Sequence, residues 1–330
     1  MAKNCGIKER PCIATGAGTL MRNLLAATAP DSALCWIKPR VPTRSRLPVH
    51  HQMATPTDPN VAVWQRLSQQ WDHVGPPFRP TPEDVGFASA VVRAMSKAKQ
   101  AGALTSILLG VTPELAELLA DTRSIEIDHS IAMINWSWMK FPRAGRATSI
   151  AAHWTQLPIQ NDCIDIILGD GCNIQLEFPA AYQAWFREMA RVLRPGGKVV
   201  IRVYVSPDTP ERSNAVVDDL MHRRIGNPNV LRMRLFMALQ ASAATGVQVS
   251  DVSAFWASAR IDEKFLTTEL GWPAGAIGIF EVFKNMNLRY SFPTLAELRT
   301  VFSDHFIELE RRVPGYEIGN RCPTIVLQKI

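Results

Sequence analysis

The sequence has 330 residues, of which 47% are hydrophobic; this composition is ordinary for a globular protein and excludes disorder of the whole chain. Its formal net charge of +6 comes from residues 1–52, which hold eight of the 36 basic side chains and two of the 30 acidic ones. The rest of the chain is neutral, so we do not expect its folded body to bind nucleic acid or another polyanion.

Residues 1–52 are predicted to form a basic, disordered leader. They are poor in acids, and they contain no apolar run long enough for a membrane span or a secretory signal. Two interpretations stay open, namely a transit-peptide-like segment or translated sequence upstream of a start at Met53. We favour the second, because MATPTDPNVAVWQRL leads directly into patterned sequence.

The second predicted unit, residues 53–205, begins with two helices. Apolar side chains at helical spacing indicate a first helix that serves as core or as a lid: Val61, Trp64, Leu67 and Trp71. After the turn GPPFRP, Thr81 is followed by a proline and two acids, which predicts an N-capped helix that continues to about Lys99.

Buried-strand candidates then alternate with helical patterns. The strand candidates are 105–110, 124–128, 147–152, 163–169 and 198–205, and the helical patterns are 113–121, 130–139 and 179–193. Apolar runs separated by amphipathic helices are typical of right-handed βαβ units. We therefore predict an α/β fold, Rossmann-like and doubly wound, with a mainly parallel sheet.

The remaining sequence predicts an insertion and a closing segment. Residues 206–290 have helical patterns and no strong strand, so we expect a helical insertion after the fifth strand, acting as a substrate cap. In residues 291–330, Thr294 and Glu297 form a capping box for a short helix. The runs FIELERRV and TIVLQKI follow, and the glycine- and proline-marked connection between them predicts an antiparallel pair that completes a seven-stranded sheet.

The residues at the carboxyl ends of the strands are the candidates for ligand binding, because ligands of open parallel sheets lie there. Asp128 follows Gly110 by 18 residues, close to the spacing of about 20 that is typical of an acid binding a ribose diol. NAD or another adenosine ligand satisfies this spacing, and a helix N-cap is the structural alternative for Asp128. The loop GVTPE lacks two glycines of the G-x-G-x-x-G pattern, which disfavours a nicotinamide-dependent dehydrogenase.

Four segments together resemble the successive motifs of class I S-adenosylmethionine-dependent methyltransferases of the small-molecule type: ILLGVTPE, IEIDHSIAMI, HWTQLPI before CIDIILGDG, and EMARVLRPGGKVVI. The resemblance covers roughly residues 60–205, returns at 290–330 and is weak in the insertion. It implies that the cofactor is S-adenosyl-L-methionine. This cofactor carries no phosphate, so a single loop glycine is enough for a close approach to its methionine and ribose portions.

The resemblance also implies positions for the cofactor. The predicted cofactor-binding residues are Gly110, Val111, Thr112, Asp128, His129, Met133, His153, Trp154 and Asp170, with Arg79 added for its charge. Asp128 would bind the ribose hydroxyls, and His129 and Met133 would lie near the adenosine. Thr112 would cap the following helix, whose free N–H groups would face the methionine carboxylate together with Arg79.

Three residues are candidates for the chemistry. Asp170 and His153 are candidate bases for an acceptor that must lose a proton, and Tyr204 is a candidate for orienting the acceptor. Because the methyl donor is already activated, the main requirement is that the acceptor atom lies in line with the bond that breaks. A small-molecule acceptor is expected, with no nucleic-acid or membrane partner. No metal is expected either, since no His/Asp/Glu cluster has ligand spacing.

Two further expectations concern the cellular location of the protein and its alternative function. The six cysteines are dispersed without a C-x-x-C pair, so a reduced, cytoplasmic protein without zinc or disulfides is the default. The alternative function is that of a methyltransferase-like binding or regulatory protein without efficient catalysis, favoured by the single loop glycine and by His153 in place of an acid.

Overall fold

A computed structural model describes residue 66 and residues 68–99, 103–141 and 147–330, and the following statements concern these residues. The predicted disordered leader lies outside them, as do Val61, Trp64 and Leu67 of the predicted first helix. The apolar pattern of the predicted first helix ends at Trp71, and in the structure Trp71–His73 form a short 3₁₀ helix.

A seven-stranded sheet is the centre of the described structure. Its strands are β1 (Thr105–Leu109), β2 (Arg123–Asp128), β3 (Thr148–Ala151), β4 (Ile164–Asp170), β5 (Leu193–Arg202), β8 (Phe306–Arg312) and β9 (Thr324–Lys329). They lie in the order β3-β2-β1-β4-β5-β9-β8, with the first five parallel and β9 antiparallel to both of its neighbours. The predicted fold, including the antiparallel strand pair, is confirmed.

The helices are α1 (Pro82–Ala98), α2 (Pro113–Leu118), α3 (Ile131–Lys140), α4 (Ala180–Val192), α5 (Ser213–Met221), α6 (Pro228–Leu239), α7 (Val249–Ala259), α8 (Ala274–Ile277), α9 (Ile279–Phe283) and α10 (Leu295–Phe302). The predicted N-cap at Thr81 and the predicted capping box at Thr294 are both formed, and Thr81 also takes part in a capping box. Thr81 and Asp84 exchange hydrogen bonds at the start of α1, and Thr294 and Glu297 do so at the start of α10. Among the described residues, no helix is long and apolar enough to cross a membrane.

The parallel strands are buried on both faces, as the unbroken apolar runs predict. Alternate residues of β1 point to opposite sides: Ile107 belongs to the core that includes side chains of α4 and α10, whereas Leu108 belongs to the core that includes those of α1 and α2. Since side chains alternate across a strand, helices must cover both faces of this sheet. This arrangement leaves the carboxyl ends of the strands as the edge where loops can form a site.

The chain between β5 and β8 has a second apolar core of its own, formed largely by α5 to α9. It also contains a two-stranded antiparallel sheet, β6 (Val247–Gln248) with β7 (Arg289–Tyr290), which was not predicted from the sequence. Two-residue strands are too short to show an alternating pattern, which explains the omission. The predicted bounds of β5 were also wrong, because Leu193 already pairs with Ile164 as soon as α4 has ended.

Candidate functional site

A cleft of about 110 Å³ lies at the carboxyl ends of β1, β2 and β4. The lining residues are Trp71, Gly110, Val111, Thr112, Asp128, His129, Met133, Trp154, Asp170, Cys172 and Gln175. Eight of these were predicted from the sequence, whereas Trp71, Cys172 and Gln175 were not. The β-strand ends therefore bring together residues that are separated by up to 104 positions in the sequence.

Gly110 and Asp128 face each other across the tips of β1 and β2. Gly110 has a φ of +85°, which residues with a side chain rarely adopt, and its amide donates to the carbonyl of Ile127 at 2.8 Å. A Cβ at this position would lie 4.0 Å from Oδ2 of Asp128. The glycine thus turns the chain sharply beside the carboxylate that the spacing singled out.

The carboxylate of Asp128 is buried and partly engaged. Its Oδ1 accepts from the amide of Ser130 at 2.7 Å and lies 3.5 Å from Nδ1 of His129. Burial raises the pKa of Asp128, and the nearby His129 and the two following amides offset this only in part. The N-cap of α3 is Ser130, whose hydroxyl accepts from the amide of Met133 at 3.3 Å, so the structural alternative for Asp128 does not apply.

The loop after Gly110 departs from its predicted role. Thr112 occupies the N-cap position of α2, but its side chain accepts no capping hydrogen bond, contrary to the expectation. The first turn is held instead by the carbonyl of Thr112, which accepts from the amides of Leu115 and Ala116 at 3.2 and 3.1 Å. Behind the loop, the hydroxyl of Ser137 donates to the carbonyl of Val111 at 3.2 Å and ties the loop to α3.

Arg79 does not line the cleft, and its charge is already paired. Its Nε donates to Oε1 of Glu114 at 2.8 Å, and its Nη2 contacts the same oxygen. The guanidinium also lies 5.4 Å from the centroid of the Trp71 ring. Because Glu114 stands in the first turn of α2, it takes the guanidinium that was expected to bind the methionine carboxylate.

The two residues after β3 have different environments. His153 is exposed and does not line the cleft, although its ring stacks on that of His129 with centroids 6.0 Å apart. Trp154 is buried, and its Nε1 donates to the carbonyl of Ile127 at 2.7 Å. The structure thus places Trp154 in the wall of the cleft and His153 at its margin.

Asp170 and Tyr204 belong to a buried network around Arg202, a residue that was not predicted from the sequence. Arg202 donates from Nε to Oδ1 of Asp170 at 2.5 Å and from Nη2 to Oδ2 at 3.0 Å. The same guanidinium donates to the carbonyl of Pro77 at 2.7 Å and to the hydroxyl of Tyr316 at 2.8 Å. An arginine inside the apolar run KVVIRVYV was the available signal, since such a charge must find a partner.

The electrostatics of this network do not favour the predicted catalytic roles. Burial raises the pKa of Asp170 and opposes the charge of the guanidinium, but the carboxylate of Asp170 outweighs burial at Arg202 and holds the pKa of Arg202 above its usual range. The hydroxyl of Tyr204 donates to the carbonyl of Pro77 at 2.9 Å and accepts from Arg202 at 3.2 Å, and burial raises its pKa. Gly171 makes room for the Tyr204 ring, since a Cβ there would clash at 2.4 Å.

The cleft suits an adenosine group better than a pyrophosphate. None of its described lining residues is Lys or Arg, and the loop after β1 has a single glycine, whereas a pyrophosphate calls for the amides of a glycine-rich loop or for cationic side chains. The carboxylate of Asp128 can accept from ribose hydroxyls, and Met133 and Trp154 offer apolar surface for a base. The volume is below the roughly 300 Å³ of a typical small-molecule site, so the walls would enclose only part of such a ligand.

No group of three or more His, Cys, Asp or Glu residues that could hold a metal ion occurs in the described parts of the chain. The three cysteines within those parts, Cys163, Cys172 and Cys322, are buried free thiols.

Comparisons with known proteins place this geometry in context. Residues 109–201 match a family model described as a methyltransferase domain. A solved structure of a putative Zn-dependent alcohol dehydrogenase from Rhodobacter sphaeroides has a TM-score of 0.52 at 10% identity, over 84% of this chain and 100% of that one. This likeness reaches no further than the fold. A search of curated proteins gives no match.

Two solved methyltransferases are also similar, with lower scores. N-methyltransferase NodS from Bradyrhizobium japonicum WM9, in complex with S-adenosyl-l-homocysteine, has a TM-score of 0.43 at 12% identity, over 81% of this chain and 98% of that one. Geranyl diphosphate C-methyltransferase from Streptomyces coelicolor A3(2) has a TM-score of 0.42 at 10% identity, over 74% and 76%. Scores at this level carry no argument about the acceptor.

Proposed function

We propose that the sheet core, whose residues 109–201 match a methyltransferase domain, is a class I S-adenosylmethionine-dependent methyltransferase domain, and that the protein transfers a methyl group in line to a small-molecule acceptor. The observation that carries this proposal is the position of Gly110 beside the carboxylate of Asp128, at the rim of a cleft without Lys or Arg among its described lining residues.

The residues of the cleft fit the parts of this cofactor. Asp128 would accept hydrogen bonds from the ribose hydroxyls, and Met133, Trp154 and His129 would contact the adenine. When bound, S-adenosylmethionine supplies a methyl group already activated on a sulfonium. The chain therefore has to bind the cofactor and the acceptor, align them and exclude water. Alignment alone lowers the activation barrier by on the order of 7–11 kcal/mol in favourable cases.

The acceptor is proposed to be a small molecule because the chain outside residues 1–52 has no net charge. We propose that residues 206–290 form its cap, since these helices have an apolar core separate from that of the sheet. We also propose a cytoplasmic location, because the cysteines are dispersed along the sequence. We propose no nucleic-acid or membrane partner.

One observation favours the alternative of a binding or regulatory protein without efficient catalysis. Asp170 and Tyr204, the residues predicted to remove a proton and orient the acceptor, are buried and bonded to Arg202. His153, the other predicted base, lies at the margin of the cleft. An acceptor that needs no base would remain compatible with catalysis, because the donor is activated.

Titration calorimetry with S-adenosylhomocysteine tests the proposal. We expect the native protein to bind and Asp128→Ala to bind more than about tenfold more weakly, because hydrogen bonds to a charged acceptor contribute about 1.5–3 kcal/mol. Asp121→Ala is a matched control, since this exposed carboxyl group precedes the opposite end of β2. Absence of binding by the native protein would rule out the methyltransferase function.

A second measurement separates the enzyme from the alternative. Transfer of a labelled methyl group is measured over a panel of small oxygen, nitrogen and carbon acceptors. Turnover that is lost in Asp128→Ala and kept in Asp121→Ala supports the enzyme. Tight cofactor binding without turnover on any acceptor class, and without slow hydrolysis of the donor, would favour the binding protein.

A further inference from the structure

Two buried polar atoms near the cleft have no hydrogen-bond partner in the described parts of the chain. One is a donor, Nε1 of Trp71, and the other is an acceptor, Oε2 of Glu114. Buried polar groups are nearly always paired, so each unpaired one in a native structure calls for an explanation. Trp71 lines the cleft directly, which makes a bound ligand the first partner to consider for its indole N–H.

The 3₁₀ helix Trp71–His73 is fixed against α3 on one side. The Trp71 ring packs on Trp136 with centroids 4.8 Å apart, and Oδ1 of Asp72 lies 2.7 Å from Nζ of Lys140. Since α3 is also tied to the loop through Ser137, the position of Trp71 relative to the loop is fixed. The indole is therefore held in place before any ligand arrives.

On its other side, Trp71 is linked to Glu114 through Arg79. The Arg79 guanidinium lies over the Trp71 ring and donates to Oε1 of Glu114, which leaves Oε2 without a donor. Glu114 stands in the first turn of α2, directly after the loop 110–112 that lines the cleft. Arg79 thus links Trp71, which lines the cleft, to Glu114, which follows the lining loop 110–112 without lining the cleft itself.

We propose that Trp71 and Glu114 are positioning residues for the α-amino-acid end of the cofactor, an inference that rests on the proposed function. Nε1 of Trp71 donates to the carboxylate, and Oε2 of Glu114 accepts from the ammonium group. An amino-acid zwitterion carries an acceptor and a donor on one carbon, so a single ligand group satisfies both unpaired atoms. Arg79 holds Glu114 in place rather than binding the carboxylate itself, which revises the prediction made for it.

Ligand truncation combined with single substitutions tests this inference. The probes are S-adenosylhomocysteine, which has the amino-acid end, and 5′-methylthioadenosine, which lacks it. We expect Trp71→Phe, which keeps one aromatic ring and removes the N–H, to weaken binding of the first about tenfold and to leave binding of the second unchanged. Glu114→Gln is expected to show the same selectivity, because an amide in place of the carboxylate removes the charge that attracts the ammonium group.

Trp185→Phe is the matched control. Its Nε1 is also buried without a partner, but it lies in the core contributed by α4 and does not line the cleft. We expect this variant to bind both ligands as the native protein does. The melting temperature of ligand-free Trp71→Phe should stay within a few degrees of that of the native protein, because removal of an unpaired buried donor offsets part of the packing lost with the smaller ring. A weaker affinity then reflects the ligand contact rather than unfolding.

The outcomes separate the inference from the proposed function. Native binding of S-adenosylhomocysteine with no change in Trp71→Phe would overturn the inference alone and would indicate an ordered water at Nε1. An equal loss for both ligands would also overturn it, because the contact would then be with the adenosine part. Failure of the native protein to bind either ligand would overturn both the inference and the proposed function.

Discussion

The ion pair between Asp170 and Arg202 predicts a large loss of stability in the variant Asp170→Asn. The side chains are 4% and 2% exposed, and the carboxylate accepts two hydrogen bonds from the guanidinium. Asparagine has nearly the same shape, but it carries no charge and offers only one oxygen as an acceptor. The guanidinium would therefore remain buried without a counter-charge.

The size of this loss follows from the geometry. Removing one partner of a buried pair costs about 3–5 kcal/mol, because the desolvated charge is left unpaired. At roughly 2 cal/mol/K of unfolding entropy per residue, each kcal/mol corresponds to about 1.5–2 °C in the melting temperature of a chain of this length, so a decrease of about 5–10 °C is expected. Losing one charged hydrogen bond alone would account for about 1.5–3 kcal/mol.

Urea unfolding and thermal melting of the ligand-free protein measure this loss. Asp162→Asn is the matched control, because its carboxylate lies 2.6 Å from Nζ of Lys329 and is 55% exposed. An exposed pair of this kind contributes less than about 1 kcal/mol, so this variant should melt close to the native protein. The double variant Asp170→Leu with Arg202→Met should recover part of the loss, since neutral side chains need no counter-charge.

A different result would refute the structural role of Asp170. If Asp170→Asn unfolds within about 1 kcal/mol of the native protein and turnover of an acceptor is nevertheless lost, the carboxylate acts on the reaction rather than on the fold. The predicted role as a base would then regain support, and the bonds to Arg202 would have to open during the reaction.

Two further predictions concern the loop and the pH dependence of stability. Gly110→Ala should lower the free energy of unfolding in urea by about 1–2 kcal/mol, because alanine is strained at a φ of +85°. Gly86→Ala, inside α1 with open space around it, should raise that free energy by up to about 1 kcal/mol, and equal stabilities of the two variants would contradict this. Burial works to raise the pKa of Asp165, but hydrogen bonds from Lys99, from the first amide of β1 and from Arg194 outweigh it and lower that pKa below the ordinary value of 3.8. The contribution of Asp165 to stability is therefore present above pH 3.8 and is lost as the pH falls through the lowered pKa. Asp165→Asn should thus have a lower free energy of unfolding than the native protein at pH 7, and this difference should shrink when unfolding is measured at acid pH. A difference that is constant with pH would show that the carboxylate does not form these hydrogen bonds.

The elements of the sheet were predictable because their signals are local. The run Ile107-Leu108-Leu109 before Gly110 needs no distant information to indicate a buried strand that ends in a turn, and Asp128 could be found from its spacing alone. Topology then brings the two together, since parallel neighbours end at the same edge. Gly110, Asp128, Trp154 and Asp170 follow from this rule, whereas the other predicted residues of the lining came from the family resemblance.

The state of the charged residues was not predictable, because it depends on partners far along the chain. Arg79 was expected to be available for a ligand, yet Glu114, 35 residues later, occupies it. Asp170 was expected to be a base, but Arg202 engages both of its oxygens, and Tyr316 and Pro77 complete the network from opposite parts of the chain. Sequence patterns identify where such groups stand and do not identify which of them are already paired.

The position of β9 inside the sheet has a consequence for the kinetics of folding. Lys198 of β5 pairs with Gln328 of β9, 130 residues later, and all of α5 to α10 lies between these two strands. Bringing such distant strands together costs loop-closure entropy before any contact repays it, and this slows folding. Because the intervening helices have their own core, their prior collapse shortens the effective loop, so substitutions that weaken that core should delay closure of the sheet although they lie far from the cleft.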